Sequence, residues 1–256
     1  MTKIIRYPVL HHCLKFCRTV TPDAFVGIID VGVRHGTDFL MDVFPDAFHY
    51  LFEPVVDCYP KIHEVYTKRS IKYSLFELAL TNVTQQLYLH QYSSDGSGRI
   101  THSEVKHHPV SDSATIHSVV PIKGVRLDNV LFEPLLNPLS YMVKLDVDGI
   151  EELIIEGGEN IIRNASYVVL EASVVRGNVL TRLQIMAAHG FRLFDICDNA
   201  YYFNQLSCMD LVFVNEKLRS KEIKLRPWEY AKWKVLWEKW QQGYPELAKQ
   251  PLPNVF

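Results

Sequence analysis

What the chain lacks narrows its class first. No apolar run in the 256 residues approaches the roughly 20 needed for a membrane-crossing helix, and no leader-like apolar stretch stands at the start, so no transmembrane segment is expected. Cysteines number only five. The odd count and irregular spacing exclude a disulfide framework and point to a reduced, cytoplasmic setting. No second ligand pair follows Cys13 and Cys17 at zinc-site spacing; preceded by His11 and His12, they read as buried helical residues, with metal ligation one turn apart as the alternative. Charge of one sign is also missing. Against 29 acidic residues stand 27 basic ones, with no long basic run, which removes the electrostatic case for a nucleic-acid partner. Lys217 to Arg226 comes nearest, but Glu222 interrupts it and it reads as a solvated segment.

Two motifs are absent as well. The Gly-x-Gly-x-x-Gly turn of dinucleotide proteins does not occur, and Asn137-Pro138 is followed by Leu139-Ser140, so the Asn-Pro-Pro-Tyr type of motif for methylating an exocyclic amine is not there.

What is present suits one large α/β domain, since 48% of the residues are hydrophobic and that supports a sizeable core. Val26 to Ile29 is a short apolar run fitting a buried parallel strand. Asp30-Val-Gly32-x-x-x-Gly36 follows, where a turn without Cβ atoms lets backbone approach a ligand closely. Phe39, Leu40, Val43 and Phe44 recur at helical spacing. Glu53 closes the next strand where an acid can accept hydrogen bonds from ribose hydroxyls.

Further along, the pattern predicts an N-terminal helix before Pro22, a helix over Val56 to Tyr66, a third strand over Ile71 to Leu80 and an extended Gln86 to Gln91. Ser93 to Ser118, rich in Ser, His, Gly and Asp, reads as one long lid-like loop. Strands return at Val119 to Ile122, Tyr141 to Val147 and Tyr167 to Leu170, with helices from Ile150 and from Val179 to His189, the latter capped by Gly190. Phe191 to Ile196 and Leu211 to Val214 read as a final antiparallel pair. Trp233, Trp237 and Trp240 share one face of a C-terminal helix that covers the domain, or serves a homodimer contact or a sugar platform. Three segments result: a helical extension over 1–24, the main domain over 25–216 and a C-terminal helical extension over 217–256.

The segment Lys144-Leu-Asp146-Val-Asp148-Gly149-Ile-Glu151 carries three acids after a strand and opens a helix. Together with Asp30-Val-Gly32, Leu51-Phe-Glu53-Pro54, Val125-Arg-Leu-Asp128, Gly157-Gly158-Glu159 and Val169-Leu170-Glu171, it resembles the FkbM family of methyltransferases over roughly Phe25 to Val214. That family usually shows Lys-Ile-Asp-Val-Glu-Gly-x-Glu, so Asp148 shortens the acid by one methylene, and Arg34 stands where Asn is common. The resemblance implies a class I methyltransferase fold, Rossmann-like and doubly wound, with a mostly parallel seven-stranded sheet and an antiparallel last strand. It also implies S-adenosylmethionine as cofactor and methyl transfer to a hydroxyl of a sugar, polysaccharide unit or secondary metabolite.

On this reading Asp30, Gly32, Val33, Arg34 and Gly36 hold the methionine end of the cofactor, Glu53 and Pro54 the ribose, and Ala79 to Asn82 flank the adenine. Asp146 is the candidate base, with Lys144 on the same side of its strand. Asp148 and Glu171 complete an acidic cluster that either raises one carboxylate pKa or holds Mg²⁺ at Asp146 and Glu171. His35 is the alternative base. For Asp148 and Glu151, capping of the helix near Ile150 is equally sound chemistry. Two other functions stay open: a catalytically silent methyltransferase-fold scaffold in a glycan or metabolite assembly, and a nicotinamide-dependent oxidoreductase.

Overall fold

A computed structural model describes residues 9–93, 100, 102–109, 116–131, 136–147 and 149–219, all within one unit, Met1–Glu222. Helix α1 (Leu10–Val20) and a 3-10 turn lead into β1 (Gly27–Val31), followed by α2 (Asp38–Val43), β2 (Phe48–Phe52), α3 (Tyr59–Lys68) and β3 (Tyr73–Phe76). The middle of the chain forms β4 (Ala79–Leu80), β5 (Gln85–Tyr92), β6 (His102–Lys106), β7 (Ile116–Val125) and α4 (Leu127–Val130). Then come β8 (Tyr141–Leu145), α5 (Glu151–Gly157), α6 (Glu159–Asn164), β9 (Tyr167–Ser173), α7 (Val179–Ala188), β10 (Phe191–Tyr202), β11 (Gln205–Asn215) and α8 (Glu216–Arg219).

Seven strands join in the order β10-β11-β9-β8-β1-β2-β3. The central pairs β1·β2, β1·β8, β2·β3 and β8·β9 are parallel, while β11 runs antiparallel to both β9 and β10. This is the doubly wound, class I methyltransferase arrangement, with the last strand reversed as expected. Helices cover both faces, so β1 and β8 are buried along their whole length, which is why they read as continuous apolar runs broken only by Asp30 and Lys144. On one face α1 buries Leu10, Cys13, Leu14 and Cys17. Among the described residues no helix is long and apolar enough to cross a membrane.

The structure corrects the sequence reading in the middle of the chain. The strand expected over Ile71 to Leu80 is two: β3 ends at Phe76, the Leu78 amide donates back to the Phe76 carbonyl at 3.0 Å, and β4 leaves for a second sheet of order β4-β7-β5-β6. Ser93 to Ser118 is correspondingly no single loop. β6 pairs antiparallel with β5, from Tyr88↔Lys106 to Tyr92↔His102, and β7 pairs with β5 on its other side. These strands lack long apolar runs because much of their surface stays accessible, so cross-strand pairing rather than burial defines them. The final pair is also longer than expected, a hairpin turning at Phe203 and Asn204. The tryptophan face at 233–240 lies outside the described residues.

The two sheets meet where α5 crosses the end of β4. A Cβ added at Gly157 would sit inside the van der Waals radius of the Thr81 carbonyl oxygen, so only glycine permits that approach. Gly157→Ala should cost about 1–3 kcal/mol or more by urea unfolding. Gly190→Ala, at φ +85° with nothing within 4 Å, should cost only the backbone strain of about 1 kcal/mol.

Candidate active site

The site begins where β1 ends. Gly32 (φ +85°), Arg34 (φ +54°) and Gly36 (φ +114°) all take the left-handed region, folding the chain into a tight cradle closed by the Gly36 amide on the Val33 carbonyl at 2.9 Å. Gly32 presses against the backbone of Asp146, where a Cβ would overlap the carbonyl oxygen. The strained Arg34 has a compensating bond: its amide donates to Glu53 Oε2 at 2.6 Å. The Val55 amide donates to Glu53 Oε1 at 2.9 Å. Both oxygens of this carboxylate, which is 4% exposed, are therefore fixed by backbone, yet each retains a further lone pair for a ligand. Burial pushes the Glu53 pKa up, against the two amide bonds.

A cavity of about 460 Å³ opens above the cradle, within the range of small-molecule sites. Val33, Arg34, His35 and Gly36 form one wall, Glu53, Pro54 and Val55 a second, and Leu78 to Leu80 a third. Lys144 and Asp146 lie at its floor. The fourth wall comes from the second sheet, through Leu89, Ser103 and Val105. Leu89 belongs to the segment expected to be extended, but the part of this wall from Ser103 and Val105 was hidden from sequence reasoning because Ser93 to Ser118 looked like a loop.

Strand register sets the charges. Asp30 and Lys144 are direct neighbours across β1 and β8, so their side chains leave the same face of the sheet. Lys144 Nζ lies 3.6 Å from Asp30 Oδ1 and 2.9 Å from Asp146 Oδ2. Burial works against the ammonium, but Asp30 and Asp146 outweigh it and hold the Lys144 pKa above its usual range. Asp146 is the accessible member, its side chain 43% exposed against 0% for Asp30. Asp210, on the same side of the sheet, is pushed up to about 7 by burial and by Asp146, with Lys144 opposing.

Three expected site residues fall elsewhere. Asp30 does not line the cavity: it is wholly buried behind Lys144, and among the described residues neither of its oxygens accepts a hydrogen bond. Asn82 turns away because β4 has joined the other sheet; its amide binds Glu156 Oε2 at 3.0 Å and its carbonyl accepts from Arg126 at 2.6 Å. Glu171 lines a separate cavity of about 290 Å³ with Ser173, Arg176 and Tyr202, since β9 runs on past it to Ser173. Among the described residues, neither Asp146 nor Glu171 belongs to a group of three metal-type donors, and the two line different cavities. Asp148 lies outside the described residues.

Sequence reasoning also missed Arg182. This buried guanidinium contacts Glu151 at 2.5 Å and Glu152 at 2.8 Å and donates to the Glu171 carbonyl. Glu151 in turn accepts from the Gly149 amide at 3.1 Å, so the turn after β8 is held from below.

A glycine cradle after β1, a buried carboxylate just past β2 and Asp146 just past β8 sit on the strand order of the class I methyltransferase fold. The methyltransferase FkbM domain profile matches residues 30–193, and the chain belongs to that family. Among solved structures it is similar to the FkbM methyltransferase of Methylobacillus flagellatus KT (12% identity, TM-score 0.48, 73% of this chain and 44% of that one). It is also similar to an rRNA methylase of Streptococcus thermophilus (13%, 0.47, 83% and 98%) and to precorrin-6y C5,15-methyltransferase of Geobacter metallireducens GS-15 (11%, 0.44, 84% and 92%). The chain thus spans less than half of the first of these. No curated protein matches it.

Asp210 makes the fold's stability depend on pH. Between about pH 4 and 7 the folded protein keeps a proton at Asp210 that the unfolded chain has already released, so stability falls as pH rises through that window. Urea unfolding at pH 5 and pH 8 should differ by roughly 2–4 kcal/mol from this group, and Asp210→Asn should remove most of that difference.

Proposed function

We propose that this methyltransferase uses S-adenosylmethionine and methylates a hydroxyl of a sugar, polysaccharide unit or secondary metabolite, with residues 25–216 as the catalytic domain. The observation that carries the cofactor assignment is Glu53, whose two oxygens are fixed by the Arg34 and Val55 amides beside a cradle only glycine can form. The donor set fits the group. Glu53 suits a ribose diol, Gly32, Val33 and Gly36 offer backbone to the methionine end, and Pro54, Val55 and Leu78 to Leu80 supply an apolar slot for the adenine. When bound, the cofactor supplies an electrophilic methyl group on a sulfonium.

The chain's own residues would do the rest. An alcohol must give up its proton as it becomes nucleophilic, and Asp146 is the accessible carboxylate on the cavity floor placed to receive it. Lys144 donates to Asp146 at 2.9 Å and orients it. His35, exposed on the cradle, lies at the cavity wall as a second acceptor. The proton is assigned to Asp146 rather than to a Mg²⁺-activated hydroxyl because Asp146 and Glu171 line different cavities.

Calorimetry with S-adenosylmethionine and S-adenosylhomocysteine, with NADH as the control, tests the cofactor. Glu53→Ala should weaken binding about 10- to 100-fold, the worth of hydrogen bonds to a charged group; absence of binding to the folded wild type would favour the scaffold reading, and NADH binding instead the oxidoreductase. Asp146→Asn should leave cofactor affinity within about threefold and lower kcat roughly 10²- to 10⁴-fold in an acceptor screen of sugars. An unchanged kcat would remove Asp146 from the mechanism.

A further inference from the structure

Away from the cavity, Asp195 and Cys197 sit two residues apart on β10 and so share one face of that strand. Register shifts in the β10·β11 pairing flank them on both sides, between Leu193 and Asp195 and between Cys197 and Ala200; such bulges re-aim side chains. Cys13 of α1 packs onto this face. The Cys13 and Cys197 sulfurs and an Asp195 carboxylate oxygen all lie within 4.8 Å of one another, and both cysteines are completely buried.

We propose that Cys13, Asp195 and Cys197 form a binding site for a thiophilic divalent cation of the zinc class, stapling α1 to the edge strand β10. The donor set is right for such an ion, two thiolates and one carboxylate. The spacing is right as well: tetrahedral zinc bonds of about 2.3 Å to sulfur and 2.0 Å to oxygen separate those ligand atoms by about 3.5 Å, and Cys197 Sγ lies 3.4 Å from Asp195 Oδ2. The other carboxylate oxygen accepts the Ile196 amide at 2.9 Å, which orients the ligand as outer-shell partners of metal sites do. Phe16, Phe194 and Tyr167 pack together beside it. Cys17, one helical turn after Cys13, stands outside this group of donors, so a water takes the fourth tetrahedral place.

Binding replaces two thiol protons by M²⁺, giving a bis-thiolate complex and two released protons. The proposal is independent of the methyl-transfer chemistry, since none of the three residues lines the catalytic cavity.

The test uses the full chain, reduced and stripped with a chelator, then titrated with Zn²⁺ for metal content and with Co²⁺ for absorption. About one equivalent of zinc per chain is expected, with a sulfur-to-cobalt charge-transfer band that Cys197→Ser abolishes. Asp195→Asn, which keeps both thiols, should weaken binding at least about tenfold, and Cys208→Ser should keep the full equivalent. Uptake below about 0.2 equivalents by the wild type, or a band that survives Cys197→Ser, would overturn the site. So would a Cys13–Cys197 disulfide whose reduction restores no metal binding. If Cys197→Ser does not fold, the wild-type band and the Asp195→Asn titration decide.

Discussion

The ammonium of Lys144 is the charge around which the sheet is arranged. A parallel sheet covered on both faces has no water to solvate a carboxylate, and leaving Asp30 uncompensated there would cost several kcal/mol, roughly. Lys144 is its register partner on the adjacent strand, so the pairing that aligns β1 with β8 also neutralises the buried acid. The same ammonium reaches forward to Asp146. One cation thus couples a core constraint to the cavity floor, and losing it would leave a buried carboxylate unpaired and Asp146 unoriented.

A second constraint is close approach of backbone. Gly32 lies against Asp146, so the cradle and the acid are placed by one contact and cannot drift apart independently. Arg34 holds a conformation that costs a non-glycine residue about 1–2 kcal/mol, and its amide spends that conformation on Glu53. The cradle, Glu53 and Asp146 therefore form one mechanical unit spanning the ends of β1, β2 and β8.

Much of this unit was legible in the sequence. Asp30-Val-Gly32, Glu53 and Lys144 to Asp146 each combine a strand end with a residue type that a core does not tolerate without reason, and local pattern suffices to see that. Legibility failed where the determinant is non-local. Asp30 and Glu171 were read as site residues because strand ends suggest exposure, but burial of the one and continuation of β9 past the other depend on neighbouring strands. Asn82 was misplaced because the switch of β4 to another sheet depends on β7, some forty residues later. β6 is invisible for the same reason: His102-Ser-Glu-Val-Lys106 has little apolar periodicity and becomes a strand through pairing with β5. Arg182 hides within an apolar helix, and its three acceptors come from two other segments, Glu151 and Glu152 at the start of α5 and the Glu171 carbonyl on β9.

The second sheet leaves and re-enters the main fold at one place. β4 lies beside the end of β7, with Ala79 opposite Gly124 and Leu80 opposite Val125, and the Thr81 amide closes on the Val125 carbonyl at 2.9 Å. The described strands between, β5, β6 and the body of β7, hang from that narrow base and contribute a cavity wall while leaving the seven-stranded register untouched. Such a root makes the second sheet an exchangeable cassette: its inner surface can be rewritten without disturbing the cradle, which belongs to the sheet beneath.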